Sequence, residues 1–326
     1  MSALLKIKMV KNTTLKGVLL VALGATSYGM LATFVKMAYG EGYTTAEITF
    51  SQFFFGIIGM LCINFYTKNK KNKTIEKASK KNISQLMLAG SSTGLTSIFY
   101  YLAVKFEIPV SIAIVLLMQT VWMGVFLESI LDKKLPSARK IFAVIIVLIG
   151  TALATNLIDS SIKLDPLGLF FGVLAAASFT TTMFTANRIA THISSAQRSL
   201  YMLFGGGILV LIFTIFTQLL PYYFGGFEEV LGIFGNAKAF NFQIFAKWAI
   251  ILSLFGTVIP PLLLNAGFPL TGIGLGSIVS SLELPVSVLM AYFLLHEQVN
   301  FSQWIGIILI IMAIVVMNLK RKNGDQ

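Results

Sequence analysis

The chain has 326 residues, of which 56% are hydrophobic and 12% charged, against roughly 25% charged in an ordinary soluble domain, so a water-soluble fold has no means of hiding its apolar surface. The formal charge of +12 would point to nucleic acid on a soluble protein. Here the Lys and Arg residues stand in short segments between apolar runs, as in the cytoplasmic loops of membrane proteins, and nucleic acid is set aside as a partner.

The apolar runs are about 20 residues long, enough for a helix to cross roughly 30 Å of hydrocarbon, and helices satisfy their own backbone groups in lipid. The expected fold is an all-α integral membrane protein of about ten transmembrane helices. The first is predicted over Leu15 to Ala38. Lys6, Lys8 and Lys11 precede it, but the stretch is too long for a signal-peptide core and lacks a cleavage site, so it is read as retained. Helices follow over Thr44 to Tyr66, Ile83 to Val104, Ile108 to Leu131 and Ala138 to Asn156. The lone Cys62, in the second, has no partner for a disulfide or metal site and reads as a small buried hydrophobe. A second set is predicted over Pro166 to Arg188, Gln197 to Leu219, Lys247 to Phe268, Gly272 to Leu295 and Phe301 to Leu319. The segment from Pro221 to Ala246 reads as an external loop whose Tyr222, Tyr223, Phe224 and Phe227 suit an interfacial belt.

With the N-terminus in the cytoplasm, all but five of the 25 basic residues lie on the inner side. The exceptions are Lys36, Lys105, Lys163, Lys238 and Lys247, and the asymmetry predicts a protein of the bacterial inner membrane with both termini on the cytoplasmic side. Leu15 to Gly56 aligns with Pro166 to Gly207 at an offset of 151, and Tyr101 to Ile146 with Asn265 to Ile310 at 164. The expected organisation is a first repeat over 1–157, an external connection over 158–164 and a second repeat over 165–326. An odd number of helices per repeat inverts the second, a transporter plan whose binding site lies near mid-membrane between the copies.

Helices that line a wet path carry small and polar residues along one stripe. The first helix has Thr26, Gly29, Thr33 and Lys36 on one face, and the sixth has Ser178, Thr181, Thr185 and Arg188. The third offers Thr93, Ser97 and Tyr100, the fourth Gln119 and Trp122, the eighth Ser253, Thr257, Pro261 and Asn265, and the ninth Gly276, Ser280, Glu283 and Ser287. Helices 1, 3, 4, 6, 8 and 9 are therefore predicted to line the path, with the aliphatic fifth and tenth outside. Small residues also permit close helix packing, the reading preferred for Gly90 with Gly94, Gly168 with Gly172 and Gly272 with Gly276.

Glu283 is the foremost candidate. An ionised carboxylate at a helix centre costs about 2.5–3.5 kcal/mol even on the lenient insertion scale, and such groups mark ion or substrate paths. It reads as a site for a cationic group or a transported proton, or else as a carboxyl bonded between helices. Pro285 loosens the backbone beside it. Gln119 stands at the matching place in the first repeat. Lys36 suits either an anionic group at the outer entrance or snorkelling to the interface. Tyr28, Tyr100, Tyr101 and Trp122 can stack on a solute or simply pack, and Pro260 with Pro261 predicts a kink.

The run Ser281-Leu282-Glu283-Leu284-Pro285-Val286, then Leu294-Leu295-His296-Glu297-Gln298-Val299, then Gln303-Trp304-Ile305-Gly306, resembles the EamA family of the drug/metabolite transporter superfamily. The resemblance implies a secondary carrier of a small metabolite, often an exporter of amino acids or similar amphipathic solutes, working by alternating access between duplicated halves. Glu283, Pro285 and Glu297 are the matching positions. Glu297 is assigned to fixing the turn before the tenth helix. The first half departs from the pattern: Asp132-Lys133-Lys134 replaces the acidic turn and Gln119-Thr120-Val121 lacks the proline.

A membrane enzyme or a sensor is the alternative. His192 and His296 are the only histidines, and HExxH, GxSxG, clustered carboxylates and a nucleotide-binding loop are missing. The expected partners are a small-molecule substrate, the lipid bilayer and, as coupling ion, a proton. No cofactor or metal is called for.

Overall fold

The structure is a computed structural model and describes residues 3–70, 78–106, 110–155, 165–225, 238–296 and 298–318. Glu297, Phe227 and the expected connection 158–164 lie outside the described residues. The first-half helices are α1 (Ala3–Gly40), α2 (Thr45–Lys70), α3 (Lys80–Lys105), α4 (Val110–Leu117), α5 (Thr120–Asp132) and α6 (Ala138–Ala154). They are followed by α7 (Pro166–Arg188), α8 (Ser195–Thr214), α9 (Leu220–Phe224), α10 (Gln243–Lys247), α11 (Ala249–Ser253), α12 (Ile259–Thr271), α13 (Ile273–Ser280), α14 (Glu283–Leu295) and α15 (Phe301–Asn318).

Among the described residues, seven stretches are long and apolar enough to cross a membrane: Thr13–Gly40, Thr45–Lys68, Ala113–Asp132, Pro166–Arg188, Ser195–Phe224, Ala249–Thr271 and Ile273–Leu295. The protein is thus a multi-pass helical membrane protein. Helix α3 has 26 residues but carries Gly, Ser and Thr through its centre, from Gly90 to Ser97. Helices α6 and α15 are strongly apolar but have only 17 and 18 described residues.

Three interruptions of the helices fall beside prolines, which lack a backbone donor. Pro285 has no N–H, so the carbonyl of Ser281 accepts from Leu284 N at 3.2 Å, and Leu282 N donates three residues back to Val279 at 3.2 Å. The chain therefore breaks between α13 and α14, as expected beside Pro285. Before Pro260 and Pro261 the helix widens into a π-turn over Leu254–Val258, and another over Ile215–Leu219 precedes Pro221. Such bulges re-seat carbonyls that a proline leaves unbonded. The break between α4 and α5 has the same tightened form, with Gln119 N on Leu116 O at 3.1 Å and Val121 N on Met118 O at 3.0 Å, and no proline accounts for it.

The strongest packing crosses between the halves, and each pairing has an exchanged counterpart. Helix α3 lies on α7 and α8, and α11–α12 lies on α1 and α2; α1 packs on α13 and α14, and α7 on α4 and α5. Helices α2 with α8, α5 with α13 and α6 with α15 pair directly. Ser92 meets Thr182 while Phe106 stacks on Phe171, so α7 runs antiparallel to α3. Glu47 bonds Gln218 while Asn64 bonds the Ala196 carbonyl, so α8 runs antiparallel to α2.

Close approach depends on glycine, and a Cβ on Gly90 or Gly94 would strike the backbone of Met202 or Gly206 on α8. That pair packs as expected. Gly272 and Gly276 are also closely approached, by Glu128 and Phe268, and Gly272 has a further role: its φ of +78° belongs to a turn before α13, a conformation that favours glycine. Cys62 is exposed on α2 rather than buried. Thr44 and Ser194 cap α2 and α8 150 residues apart. Lys133 and His296, both with left-handed φ (51° and 53°), and the first residues of α6 and α15 are each 163 apart. The structural register therefore differs by one residue from the offsets of 151 and 164, because the alignment followed side-chain identity rather than helix ends.

Candidate functional site

Two adjoining lobes of a cavity, about 350 and 450 Å³ with space open to solvent included, lie where α1, α3, α4, α7 and α14 converge. Tyr28, Thr96, Ser97, Leu117 and Glu283 line both. Thr93, Phe179 and Thr182 complete the first, and Leu31, Ala32, Val35, Tyr100 and Tyr101 the second. Among the described residues Glu283 is the acidic side chain of either lobe; no Lys, Arg or His lines them.

The helix break makes this geometry. By ending α13 at Ser280 and starting α14 at Glu283, it gives the carboxylate a helix N-terminus in mid-span, where the macrodipole favours a negative side chain. Gly29 of α1 sits against the Glu283 carbonyl and Val286, which brings α1 onto the break.

The polar wall of α3 has a defined sense. Thr93 donates to Gly90 O at 2.7 Å, Thr96 to Ser92 O at 2.8 Å and Ser97 to Thr93 O at 3.4 Å. A hydroxyl has one proton and two lone pairs, so these residues turn acceptor oxygens toward the cavity. Tyr101 donates to Gln52 Oε1 at 3.1 Å, and the buried Tyr100 hydroxyl has no hydrogen-bond partner. The remaining wall is apolar, with the Tyr28 and Phe179 rings edge to face at 5.8 Å.

The EamA-like transporter family model matches residues 15–156 and again 166–319. The chain belongs to that family. A solved structure described as "Crystal structure of protein" aligns with TM-score 0.69 over 94% of this chain and 95% of its own, at 13% identity, which shows a shared fold. No curated protein matches the chain in sequence.

In this EamA-like protein the cavity brings together Glu283, Tyr28, Tyr100 and Tyr101 of the residues singled out from sequence, with Thr93 and Ser97 beside them. The others lie elsewhere. Gln119 accepts from Trp122 Nε1 at 2.9 Å and donates to Val115 O at 3.1 Å, and Trp122 is 41% exposed on the outer face. Lys36 is exposed and outside both lobes. Asn265 is buried and holds Ser199 at 3.0 Å and Pro261 O at 2.9 Å. Ser280, also buried, bonds Gly276 O at 3.0 Å.

The polar stripes also face differently from the sequence reading. On α1 the cavity side is Tyr28, Leu31, Ala32 and Val35, while Gly29 and Thr33 are buried in helix contacts. On α7 it is Phe179 and Thr182. The eighth-helix residues Ser253 and Thr257 bond Ile250 O at 3.0 Å and Gln52 O at 3.0 Å, so that helix packs rather than lines. Small polar residues serve the close crossings, and the mainly apolar wall was missed because polarity was the search criterion.

Two buried ionic centres were also missed. Glu47, fully buried, accepts from Thr44 N at 2.8 Å, Gln218 Nε2 at 2.9 Å and Asn241 N at 2.8 Å, with Lys238 Nζ at 3.6 Å. Thr44-x-x-Glu47 has capping-box spacing, the signal available in sequence. Arg198, counted among the cytoplasmic charges, is 1% exposed and donates to the carbonyls of Ile189 (3.0 Å), Asn265 (2.7 Å), Thr185 (3.1 Å) and Ala186 (2.5 Å). It closes the C-terminal end of α7, where cations are favoured. Arg188 pairs with Asp132 at 2.5 Å, and Lys140 pairs with Glu128.

Proposed function

We propose that the protein is a secondary carrier that moves a small metabolite across a bacterial inner membrane by exposing the Glu283 cavity alternately to the two sides. The observation that carries the reading is the carboxylate at the α13–α14 break, facing a space of the size that holds small molecules, with hydroxyl oxygens on one wall and rings on another. A structural carboxyl would be hydrogen-bonded between helices instead of lining a cavity.

The carrier reading takes the chain as ten spans in two inverted repeats with both ends cytoplasmic. Two features support it. Pairings of the first-half helices recur with the halves exchanged, and α7 and α8 run against α3 and α2. The basic residues fall on one side under that topology. Rocking one set of helices against the other is the general way such repeats alternate access. Glu283 then carries either the cationic part of the solute or a coupled proton.

The test begins with metabolites compared between cells lacking and overproducing the protein, followed by flux of the accumulated solute in proteoliposomes. Glu283→Gln is expected to remove flux at normal membrane insertion; full flux from that variant overturns the assignment. Flux that does not respond to an imposed pH gradient removes the proton from the scheme.

A further inference from the structure

We infer that the cavity selects a small organic cation, an amine on an apolar body that bears no carboxylate; this deepens the carrier reading and rests on it. Glu283 is the acidic side chain of both lobes and no Lys, Arg or His lines them among the described residues, which gives a cation a counter-charge and leaves an anion the Tyr28 and Tyr100 hydroxyls alone. The hydroxyl protons of Thr93, Thr96 and Ser97 are committed to carbonyls of their own helix. What these residues offer a ligand is lone pairs, matching an ammonium group that has three donors and no acceptor.

An amino acid fits this surface poorly. Its ammonium would meet Glu283, but its carboxylate would find phenolic O–H groups of Tyr28 and Tyr100 and no cation, since no Lys, Arg or His lines either lobe among the described residues. Arg198 is buried with four bonds to carbonyls. Arg188 pairs with Asp132, and Lys36 is exposed outside both lobes. A carboxylate in the cavity would be a desolvated charge without a counter-ion, the arrangement that proteins avoid. The body of the ligand would lie on Tyr28, Phe179, Leu31 and Leu117. Aromatic faces also attract ammonium groups directly.

The experiment is equilibrium binding to the purified full chain in detergent, with probes that share a body and differ in the carboxylate: phenethylamine against phenylalanine, and 3-methylbutylamine against leucine. 3-Phenylpropionate serves as the acid without the amine. Saturable binding of the amines is expected, with each amino acid and the acid at least about tenfold weaker, a difference of 1.4 kcal/mol. Glu283→Gln is expected to weaken amine binding at least about tenfold. Amino acids binding as tightly as their amines, amine binding unchanged in Glu283→Gln, or no saturable amine binding would each overturn the inference. The comparison of probes on the unaltered protein decides it even where the variant fails to fold. Amine binding without flux in proteoliposomes overturns the carrier reading alone; flux of an acid or zwitterion without amine binding overturns this inference alone.

Discussion

The two broken helices, α4–α5 and α13–α14, share a scaffold but differ in chemistry. Both tighten over two residues, between Leu117 and Thr120 and between Ser280 and Glu283, and these landmarks are 163 apart, as are the helix ends that follow. In that register Glu283 corresponds to Thr120, whose buried hydroxyl has no partner, while Gln119 turns outward to Trp122. The first break contributes Leu117 to the cavity and the second Glu283. Both halves frame the space, and one break supplies the carboxyl group.

The largest effect should come from exchanging that charge. Glu283→Leu is expected to lower flux at least about a hundredfold, since removing the partner of a desolvated charge costs about 3–5 kcal/mol. Adding Leu117→Glu, which places a carboxylate on the opposite break of the same cavity, should restore part of the flux. No recovery in liposomes, with both variants well inserted, would mean that the breaks are not interchangeable in position.

Next in size is the contact that seats α1 on the second break. Gly29→Val would drive a side chain into the Glu283 carbonyl and Val286, with backbone on one side unable to rotate away. Overpacking of this kind costs about 1–3 kcal/mol, to be read as a lowered thermal midpoint in detergent. An unchanged midpoint would show that α1 can withdraw from the break.

The outward-facing residues of the first break should matter least to transport. Gln119→Leu and Trp122→Phe are expected to alter flux by less than about twofold, because their hydrogen bond is local and exposed and a bond of that sort contributes only about 0.5–1.5 kcal/mol. A loss comparable to that of Glu283→Leu would place the solute path on this side of α5.

Much of this was legible because the strong signals are one-dimensional. Apolar length marks spans, proline marks breaks, and a carboxylate in mid-span marks a site, so Glu283 and Pro285 could be read from the sequence. Helix rotation was harder to read. In a bundle both lipid and neighbours are apolar, so the hydrophobic pattern does not tell which face looks inward. Lys36 and Trp122 were thus assigned to a path yet lie outside both lobes of the cavity, and the cavity residues Phe179 and Leu31 were passed over. The burial of Arg198 was missed because nothing local shows that carbonyls from α7 and α12 converge on it.

A smaller effect lies at the end of α1, where Glu41 and Lys247 pair at 3.1 Å beyond the helical spans. The Lys247 ammonium holds the Glu41 carboxyl below its ordinary value, and Glu41 holds Lys247 above its own. A lowered carboxyl pKa adds stability above the unfolded value and loses it as pH falls through the folded one; a raised ammonium pKa adds stability that fades only in strong alkali. The pair should therefore contribute across neutral pH and fade in acid below roughly pH 4. Both groups are solvated, so the contribution is small and screened by salt. Glu41→Gln is expected to lower the thermal midpoint slightly at neutral pH and low salt, with the difference closing in acid. A difference that persists in acid would assign the effect of Glu41 to the shape of the α1–α2 turn, which Lys238 also holds through Gly42 O at 2.6 Å, rather than to its charge.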